Sequence, residues 1–334
     1  ETAFCAMRRS MPPARLHNLT LETLRVALST SLADDDPVEF CYWTMGYYTR
    51  RSLLRPSDIF ILDLSSGHRK FFPCYTTFGL PNIFNQALPS GQQDYASRMP
   101  ASDTLKRTWY TKMQHRLLGT LGYHFTIFVD IDEWLVPRSP YFETLQHYFL
   151  NLSRTPLRHA VTAPLGYEVM QVPSLGETSL ARGTMLPFSQ RHLWFSLCRL
   201  SKPIVSSVVL TFGEQWHTHT IVGPVPIDAC QRQSSPYIDD KLLLVHIKCL
   251  DMNVWGRNET LARKIRYAHD LRRCSPLEQW VLENGQACAH HPSTCRDRRV
   301  LLPWRAQKRG VGHVQLVPEW VRRMEWKAPL HPHD

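Results

Sequence analysis

The order of apolar and polar positions along the chain predicts helices alternating with strands. Apolar residues at helical spacing predict a helix over Leu19–Leu32, and the compact β-rich run VEFCYWTM predicts a strand over Val38–Met45. DIFILDLSSG (58–67) predicts a second buried strand that ends in an Asp and a turn, and KFFPCYTTFG (70–79) is a candidate third strand. Residues 80–102, rich in Pro, Gly, Ser, Gln and Asn, indicate a loop.

The clearest predicted helix begins at Ser102 and ends at Gly122. Ser102 and Asp103 offer an N-cap, and apolar side chains then recur at every fourth position, at Leu105, Trp109, Met113, Leu117 and Leu121. The helix leads into the strand HFTIFVDID (124–132), which is followed by a helix over about Pro140–Leu150. This alternation predicts an α/β fold with a mixed, mostly parallel sheet flanked by helices.

Beyond residue 155 the pattern changes to strands separated by turns and long loops. A basic amphipathic helix is predicted over Glu259–Arg273, and the Pro- and Trp-rich tail is predicted to be irregular and packed on the body by its aromatic residues. We therefore divide the chain into an N-terminal helical segment (1–36), one α/β domain (37–273) and a C-terminal extension (274–334). The strands predicted in the second half are HAVTAPLGYEVM (159–170), CRLSKPIVSSVVLTFG (198–213), WHTHTIV (216–222) and KLLLVHIKCL (241–250).

The charge of the chain favours anionic ligands. Its formal net charge is +10 and its pI is about 9.3, which suits polyanions or phosphorylated small molecules. The basic residues are scattered in short groups and no nucleic-acid-binding module accompanies them, so nucleic acid is not a predicted partner. No apolar run approaches the roughly 18 residues that span a bilayer, so we expect membrane attachment only through an N-terminal anchor that precedes this sequence.

Cysteines and glycosylation signals favour the lumen of the secretory pathway. The chain has nine cysteines and three Asn-x-Ser/Thr sequons, at Asn18, Asn151 and Asn258. The stretch CSPLEQWVLENGQACAHHPSTC (274–295) contains three cysteines and two histidines, which could form a zinc site. Because no Cys-x-x-Cys pair is present, disulfides or free thiols are the favoured interpretation.

The segment FVDIDEWLVP (128–137) contains the strongest chemical signal. Asp130 and Asp132 follow an apolar run that begins at Phe125, and alternate residues of an extended chain point to the same side. Ligand sites of open α/β sheets lie at the carboxyl ends of the strands, and Mg²⁺ or Mn²⁺ prefers oxygen ligands. These residues therefore predict a metal site whose remaining ligands are substrate phosphates. The alternative is a solvated turn in which Glu133 caps the next helix.

Several segments together resemble a known enzyme family. They are IFVDIDEWLVP, IFILDLSSG, GYEVMQ, SQRHLWFSLCRLSKPIV, GEQWHTH and DDKLLLVHIKCLD, together with Gln114 on the helix before the acidic motif. In this order they are similar to the motifs of DxD glycosyltransferases related to families 2 and 92, which adopt the GT-A fold, a Rossmann-like arrangement. The resemblance extends over residues 38–270 and covers most of the chain.

The resemblance implies an inverting, metal-dependent transfer of a sugar from a nucleotide-diphosphate sugar to a hydroxyl of a glycan or glycoprotein. It implies Mn²⁺ or Mg²⁺ as the cofactor, held by Asp130 and Asp132, and a Golgi enzyme with a type II anchor. Glu133 would orient the site, and the general base would be Glu168 or Glu177. The other residues implied are Asp63, Ser66, Asp130, Gln114, Lys202 and Arg191 for the donor, and His217, His219 or His246 as a further metal ligand.

Two rival functions fit parts of the same sequence. A haloacid-dehalogenase-like phosphatase would use Asp130 as a nucleophile and the acids of YIDDK (237–241) for Mg²⁺. Trp134 stands where such a motif normally has Thr or Val, and the motif lies far from the N-terminus, which counts against it. The second rival is a non-catalytic carbohydrate-binding protein on a GT-A scaffold, and the intact pair Asp130 and Asp132 counts against that one.

Overall fold

The structure is a computed structural model, and eleven strands of its described residues form one mixed sheet. It describes residues 16, 18–34, 36–65, 69–86, 95–155, 161–169, 191, 193–196, 204–209, 238–247, 299–301 and 311–322. The strands are β1 (Val26–Leu32), β2 (Ile59–Asp63), β3 (Asn82–Asn85), β4 (Phe125–Phe128), β5 (Glu133–Pro137), β6 (Val161–Val169), β7 (Leu193–Ser196), β8 (Val205–Ser206), β9 (Ile238–His246), β10 (Arg299–Leu301) and β11 (Val311–Leu316). The α-helices are α1 (Val38–Gly46), α2 (Phe72–Thr77), α3 (Tyr95–Gln114), α4 (Leu145–Ser153) and α5 (Glu319–Arg322).

The N-terminal part of the sheet is parallel and lies between two layers of helices. Strands β3, β2, β1 and β4 are adjacent in that order, and every neighbouring pair is parallel. Along β2 the side chains alternate: Ile59 and Ile61 join the larger core with α1, α2 and α4, whereas Phe60 and Leu62 join the smaller core with α3. This layered arrangement confirms the predicted α/β class.

The rest of the sheet is largely antiparallel. From β4 it continues through β8, β6, β7 and β11 to β10, and all of these neighbours are antiparallel. Strand β9 pairs antiparallel with β5 and parallel with β6. The mixed sheet that the sequence predicts is confirmed, and its parallel strands are concentrated in the N-terminal part.

The helix predicted over Leu19–Leu32 is wrong. Residues Val26–Leu32 form β1, which lies between β2 and β4 and is buried at all seven positions. A parallel strand covered on both faces lacks the polar–apolar alternation of a half-exposed strand. Since the polar residues Ser29, Thr30 and Ser31 are buried as well, the strand period was not visible in the sequence and the helical spacing of the apolar residues was misleading.

The strands predicted over Val38–Met45 and residues 70–79 are wrong too, because these segments form α1 and α2. Helix α1 is buried from Phe40 to Gly46, so it shows no polar face. A short, continuously apolar run is compatible with a buried strand or a buried helix, and periodicity alone does not separate them. Residues 80–102, predicted to form a loop, contain β3 and the start of α3.

The strand predicted in residues 58–67 and the helix that begins near Ser102 are confirmed as β2 and α3. Helix α3 begins earlier, at Tyr95, and continues as a π-helical turn over His115–Thr120. Gly122 has φ +70°, the left-handed conformation that suits a glycine after a helix. Trp109 and Met113 face the smaller core, as the four-residue spacing predicts.

The helix predicted over Pro140–Leu150 is confirmed as α4 but begins at Leu145. Thr144 has extended backbone geometry, and its hydroxyl oxygen accepts a hydrogen bond from the backbone N–H of His147 at 3.3 Å. This is an N-cap, which fixes the first turn of the helix. The predicted strands 159–170 and 241–250 correspond to β6 and β9, and a short part of 198–213 forms β8.

The C-terminal extension is not wholly irregular, since it contains β10, β11 and α5. Trp320 of α5 packs against the larger core, as expected of an aromatic anchor. The division at residues 36 and 273 stays a prediction. The helix over Glu259–Arg273, the strand WHTHTIV and the cysteine-rich stretch 274–295 lie outside the described residues. Among the helices that are described, none has the length and apolar character needed to cross a membrane.

A disulfide joins the two helices that were predicted to be strands. Cys41 of α1 and Cys74 of α2 are both fully buried, their Cα atoms are 6.3 Å apart and 33 residues separate them in sequence. The expectation of disulfides is therefore confirmed for this pair. The bond ties α1 to α2 at the face of the sheet that carries the larger core.

Candidate functional site

The acidic motif forms a tight turn at the carboxyl end of β4. Strand β4 ends at Phe128, four residues before the end that the sequence predicts, and β5, which sequence analysis missed, begins at Glu133. Within the turn, the backbone N–H of Glu133 donates to the Asp130 carbonyl at 3.1 Å. The backbone N–H of Asp130 donates to Glu133 Oε2 at 3.0 Å. The acids are thus arranged by a turn rather than by the alternation of a strand.

Three carboxylates converge in this turn. Asp130, Asp132 and Glu133 each offer one oxygen, and these atoms all lie within 4.8 Å of one another. Glu133 is 1% exposed and Asp132 is 9% exposed, whereas the Asp130 side chain is 27% exposed and reaches solvent. Carboxylate oxygens at this spacing suit a hard divalent cation such as Mg²⁺ or Mn²⁺. The residues present therefore fit the predicted metal, and we call these three side chains the acidic corner.

Side chains of helix α1 and of the π-helical turn that follows it (Tyr47–Arg51) hold the backbone of the acidic corner in place. The Thr44 hydroxyl donates to the Ile131 carbonyl at 2.5 Å and accepts from Trp134 Nε1 at 2.9 Å. The Tyr48 hydroxyl donates to the Glu133 carbonyl at 3.3 Å. All of these groups are buried, and buried hydrogen bonds of this kind are costly to break because the partner that remains loses its solvation. The backbone of the turn is consequently held in a fixed position.

Two further side chains lie in a row with Glu133 across the sheet. In β9, His246 is directly opposite Glu133 of β5 on one side and Glu168 of β6 on the other. Directly paired residues present their side chains on the same face of a sheet. His246 Nε2 lies 3.5 Å from Glu133 Oε1, and His246 and Glu168 are both 7% exposed. The register therefore brings three predicted site residues, distant in sequence, to one buried row.

The acidic corner and this row are joined through the backbone as well. The backbone N–H of Ile247 donates to the Asp132 carbonyl at 2.8 Å, directly after His246. Of the three histidines proposed as a metal ligand, His246 lies next to the corner, and its role as a ligand stays a prediction. His217 and His219 are outside the described residues.

Asp63 lies at the carboxyl end of β2, two strands away from β4 in the same parallel group. Its side chain is fully buried, and Oδ1 accepts hydrogen bonds from the Ser65 backbone N–H at 2.9 Å and from the Ser65 hydroxyl at 2.6 Å. Oδ2 accepts from the Tyr75 hydroxyl at 3.0 Å. Burial raises the pKa of Tyr75, and the charge of Asp63 adds to the rise. In this structure Asp63 organises the turn after β2, and its contact with a nucleoside stays a prediction.

Of the remaining residues predicted to bind the donor, two lie among the described residues. Gln114 is fully buried at the end of α3, and Arg191 is fully buried just before β7. Their roles at the donor stay predictions. Ser66, Glu177 and Lys202 lie outside the described residues.

The acids of YIDDK do not meet the acidic corner. Asp239 is seven positions before His246 on β9, roughly 20 Å along the strand at the usual rise per residue. Its carboxylate accepts hydrogen bonds from the Tyr148 hydroxyl and from the backbone N–H of Lys241, both at 2.9 Å. These contacts give Asp239 a structural task, and the arrangement does not favour the phosphatase in which these acids share a metal with Asp130.

A cation that was not predicted from the sequence also lies at the corner. Lys106 Nζ of α3 is 3.6 Å from Asp130 Oδ1. One signal was available: Lys106, Tyr110 and Gln114 are polar residues spaced by four along an amphipathic helix, so they share one face. Burial raises the pKa of Tyr110 well above its ordinary value, and the charge of Asp130 adds to this rise.

Comparison with known proteins gives weak likenesses. No protein-family model matches the chain, and no curated protein matches its sequence. Among solved structures, residues 1–349 of TarS from S. aureus share 8% identity at a TM-score of 0.30, over 70% of this chain and 63% of that structure. Core-mannan synthase A from Aspergillus fumigatus, in its Mn/GDP form, shares 10% identity at a TM-score of 0.23, over 46% of this chain and 44% of that structure. At TM-scores this low, neither likeness carries an argument about this chain.

Proposed function

We propose that the protein is a metal-dependent glycosyltransferase that moves a sugar from a nucleotide-diphosphate sugar to a hydroxyl of a glycan or glycoprotein. The observation that carries the proposal is the acidic corner: carboxylate oxygens of Asp130, Asp132 and Glu133 within 4.8 Å of one another at the carboxyl end of β4. The ligand sites of open α/β sheets lie at this edge. The family motifs in the sequence and the net charge of +10, which suits a diphosphate, support the same function.

Asp130 and Asp132 would hold the cation, because each offers a carboxylate oxygen to the corner and the Asp130 side chain reaches solvent. When bound, Mn²⁺ or Mg²⁺ supplies Lewis-acid neutralisation of the charge that develops on the departing nucleoside diphosphate. Glu133 would act mainly by orienting the corner, since it is almost fully buried between the Asp130 backbone N–H and the His246 ring. The rigid support by Thr44 and Tyr48 keeps these groups in place before the substrate arrives.

Glu168 is the general base in this proposal. Strands lie about 4.8 Å apart, so the two steps from β5 through β9 to β6 put the Glu168 backbone about 10 Å from that of Glu133. The His246 side chain occupies the interval between them on the same face, so the sugar and the acceptor hydroxyl would lie above this row of side chains. Glu168 would take the proton of the acceptor hydroxyl as its oxygen attacks the anomeric carbon, and the nucleoside diphosphate would leave from the opposite side, which inverts the configuration.

A thermal-shift panel tests the proposed function. The melting temperature is measured with UDP, GDP and CMP, each with and without Mn²⁺. One nucleoside diphosphate is expected to raise the melting temperature by roughly 5 °C in the presence of Mn²⁺, at concentrations about a hundredfold above its Kd. The same nucleotide with EDTA serves as the control. If every nucleotide leaves the melting temperature unchanged in Mn²⁺, the protein does not bind a donor in this way and the proposal is wrong.

Glu168→Gln tests the base. Because the amide cannot accept the proton at neutral pH, kcat is expected to fall about 10²–10⁴-fold. The Kd of the nucleoside diphosphate, measured by calorimetry, is expected to stay within about twofold, since the base does not bind the leaving group. Glu143→Gln provides a matched control on an exposed residue and is expected to keep full activity. Normal turnover by Glu168→Gln would show that Glu168 is not the base. Glu177 would then be the next position to replace.

We propose that the enzyme works in the secretory pathway, in the Golgi lumen. The buried disulfide Cys41–Cys74 supports an oxidising compartment. Asn18 and Asn151, two of the sequon asparagines, are exposed and could carry glycans. Digestion of the cell-derived protein with an N-glycosidase should lower its apparent mass. An unchanged mass, together with free thiols at Cys41 and Cys74, would contradict this location.

A further inference from the structure

One face of α3 carries a row of polar side chains, of which Lys106 and Tyr110 contact the end of β4. Lys106, Tyr110 and Gln114 follow one another at intervals of four, and such residues lie one above another on a helix. Tyr110 and Gln114 are fully buried, and the Tyr110 hydroxyl donates to the Val129 carbonyl, directly before Asp130, at 3.4 Å. The buried part of the row is thus docked on the end of β4. Lys106, one turn nearer the helix start, is thereby held beside the corner.

Lys106 contacts Asp130 and is also in position to contact a ligand bound at the corner. Its Nζ lies 3.6 Å from Asp130 Oδ1, and its side chain is 18% exposed against 27% for Asp130. Both side chains are therefore partly exposed beside the corner, although the Asp130 Oδ1 atom that Lys106 approaches is buried. An ammonium group has three donors on a flexible stem, so it can exchange one anionic partner for another without a change in the backbone.

Charge determines which partner Lys106 prefers in each state. Without a metal, its ammonium offsets part of the repulsion among three clustered carboxylates. Lys106 and a divalent cation carry like charges, so the two compete for Asp130. A diphosphate that binds brings its own oxygens to the corner, where the displaced ammonium can bind them by charge-assisted hydrogen bonds.

We propose that Lys106 is a diphosphate-binding residue that exchanges Asp130 for a phosphate oxygen of the donor when metal and donor bind. The proposal rests on the proposed function, because it requires a diphosphate at the acidic corner. It gives Lys106 two opposite effects: the side chain weakens the binding of metal alone and strengthens the binding of a diphosphate in the presence of metal. A lysine that only supported the fold would not produce effects of opposite sign.

The test compares wild type, Lys106→Met and Lys112→Met by titration calorimetry. Lys112 lies on the same helix and is exposed, so its replacement removes the same charge away from the corner. In Lys106→Met, Mn²⁺ alone is expected to bind roughly threefold to tenfold more tightly, because a competing cation is gone. At saturating Mn²⁺, UDP or GDP, whichever the wild type binds, is expected to bind about 10–100-fold more weakly, the range for a lost hydrogen bond to a charged group. Lys112→Met is expected to match the wild type in both titrations.

Two additional probes locate the contact. Inorganic pyrophosphate with Mn²⁺ should lose the same factor in Lys106→Met as the nucleotide does, since the contact is to phosphate. Lys106→Arg, which keeps the charge, should recover most of the lost diphosphate affinity. If only the nucleotide and not pyrophosphate were weakened, Lys106 would contact the nucleoside and the proposal would be overturned.

The outcomes separate this inference from the proposed function. A wild-type protein that binds neither Mn²⁺ nor any diphosphate refutes the proposed function itself. A wild type that binds both, with Lys106→Met indistinguishable from Lys112→Met, refutes only the role of Lys106. Weaker binding of both Mn²⁺ and diphosphate in Lys106→Met would show a structural role at the corner and would refute the exchange.

Discussion

Asp132→Asn is expected to lower metal-dependent transfer, and hydrolysis of the donor, by at least about 10³-fold. An amide keeps the shape of the side chain but loses the negative charge, and a Lewis-acid metal contributes several kcal/mol to the stabilisation of a departing phosphate. The fold should not change, because Asp132 anchors the turn through its backbone carbonyl, which accepts from the Ile247 backbone N–H. The neutral side chain also removes repulsion from Asp130 and Glu133. The folded protein without metal should therefore be at least as stable as the wild type.

Asp240→Asn is the matched control for this change, since Asp240 is an exposed residue of β9 far from the corner. Activity is measured as release of nucleoside diphosphate over a range of Mn²⁺ concentrations, and melting temperatures confirm that both variants are folded. If Asp132→Asn kept its turnover or its dependence on Mn²⁺, the carboxylates would not be metal ligands. The catalytic interpretation of the acidic corner would then be wrong.

Removal of the disulfide in Cys41→Ala/Cys74→Ala is expected to lower the free energy of unfolding by about 3–4 kcal/mol. The bond closes a loop of 33 residues, and the entropy that such a loop removes from the unfolded chain corresponds to this value. The measurement is equilibrium unfolding in urea under oxidising conditions. The site should loosen too, because Cys41 is three residues before Thr44, which holds the acidic turn, and Cys74 is next to Tyr75, which holds Asp63.

Reductant provides the control for the disulfide. Wild type in dithiothreitol should approach the stability of the double variant, and any further loss that reductant causes in the double variant reports on the other seven cysteines. The expected shift in urea midpoint accompanies an altered slope, because the unfolded chain without the bond is more expanded. Equal stability of the wild type and the double variant in oxidising buffer would show that Cys41 and Cys74 are not bonded.

Residues with a clear amphipathic or turn pattern could be assigned from the sequence. Helix α3 was recognisable because Trp109 and Met113 repeat at the helical period on one buried face, with Gly122 after the end. Strand β2 was recognisable from its apolar run followed by Asp63. In both cases the evidence is local, since the pattern and its boundaries lie within one short stretch of chain.

The interchanged assignments in the first eighty residues have a common physical cause. Strand β1 is covered on both faces and α1 is buried from Phe40 to Gly46, so neither shows a polar side, and α2, with six residues, is too short to reveal its period. Whether such a run becomes a strand or a helix depends on its neighbours: β1 is paired on both edges by β2 and β4. Those partners are distant in sequence, and local propensity does not record them.

What the sequence alone determined is the acidic corner. Asp130, Asp132 and Glu133 are neighbours along the chain, so a single turn is enough to bring their oxygens together. What only the tertiary structure decided is the set of residues that face it. Glu168 and His246 join Glu133 through the register of β6 and β9, and Lys106 reaches Asp130 because α3 packs on the end of β4. These pairings join segments that are distant in sequence, so a local pattern of residues does not show which of them will meet.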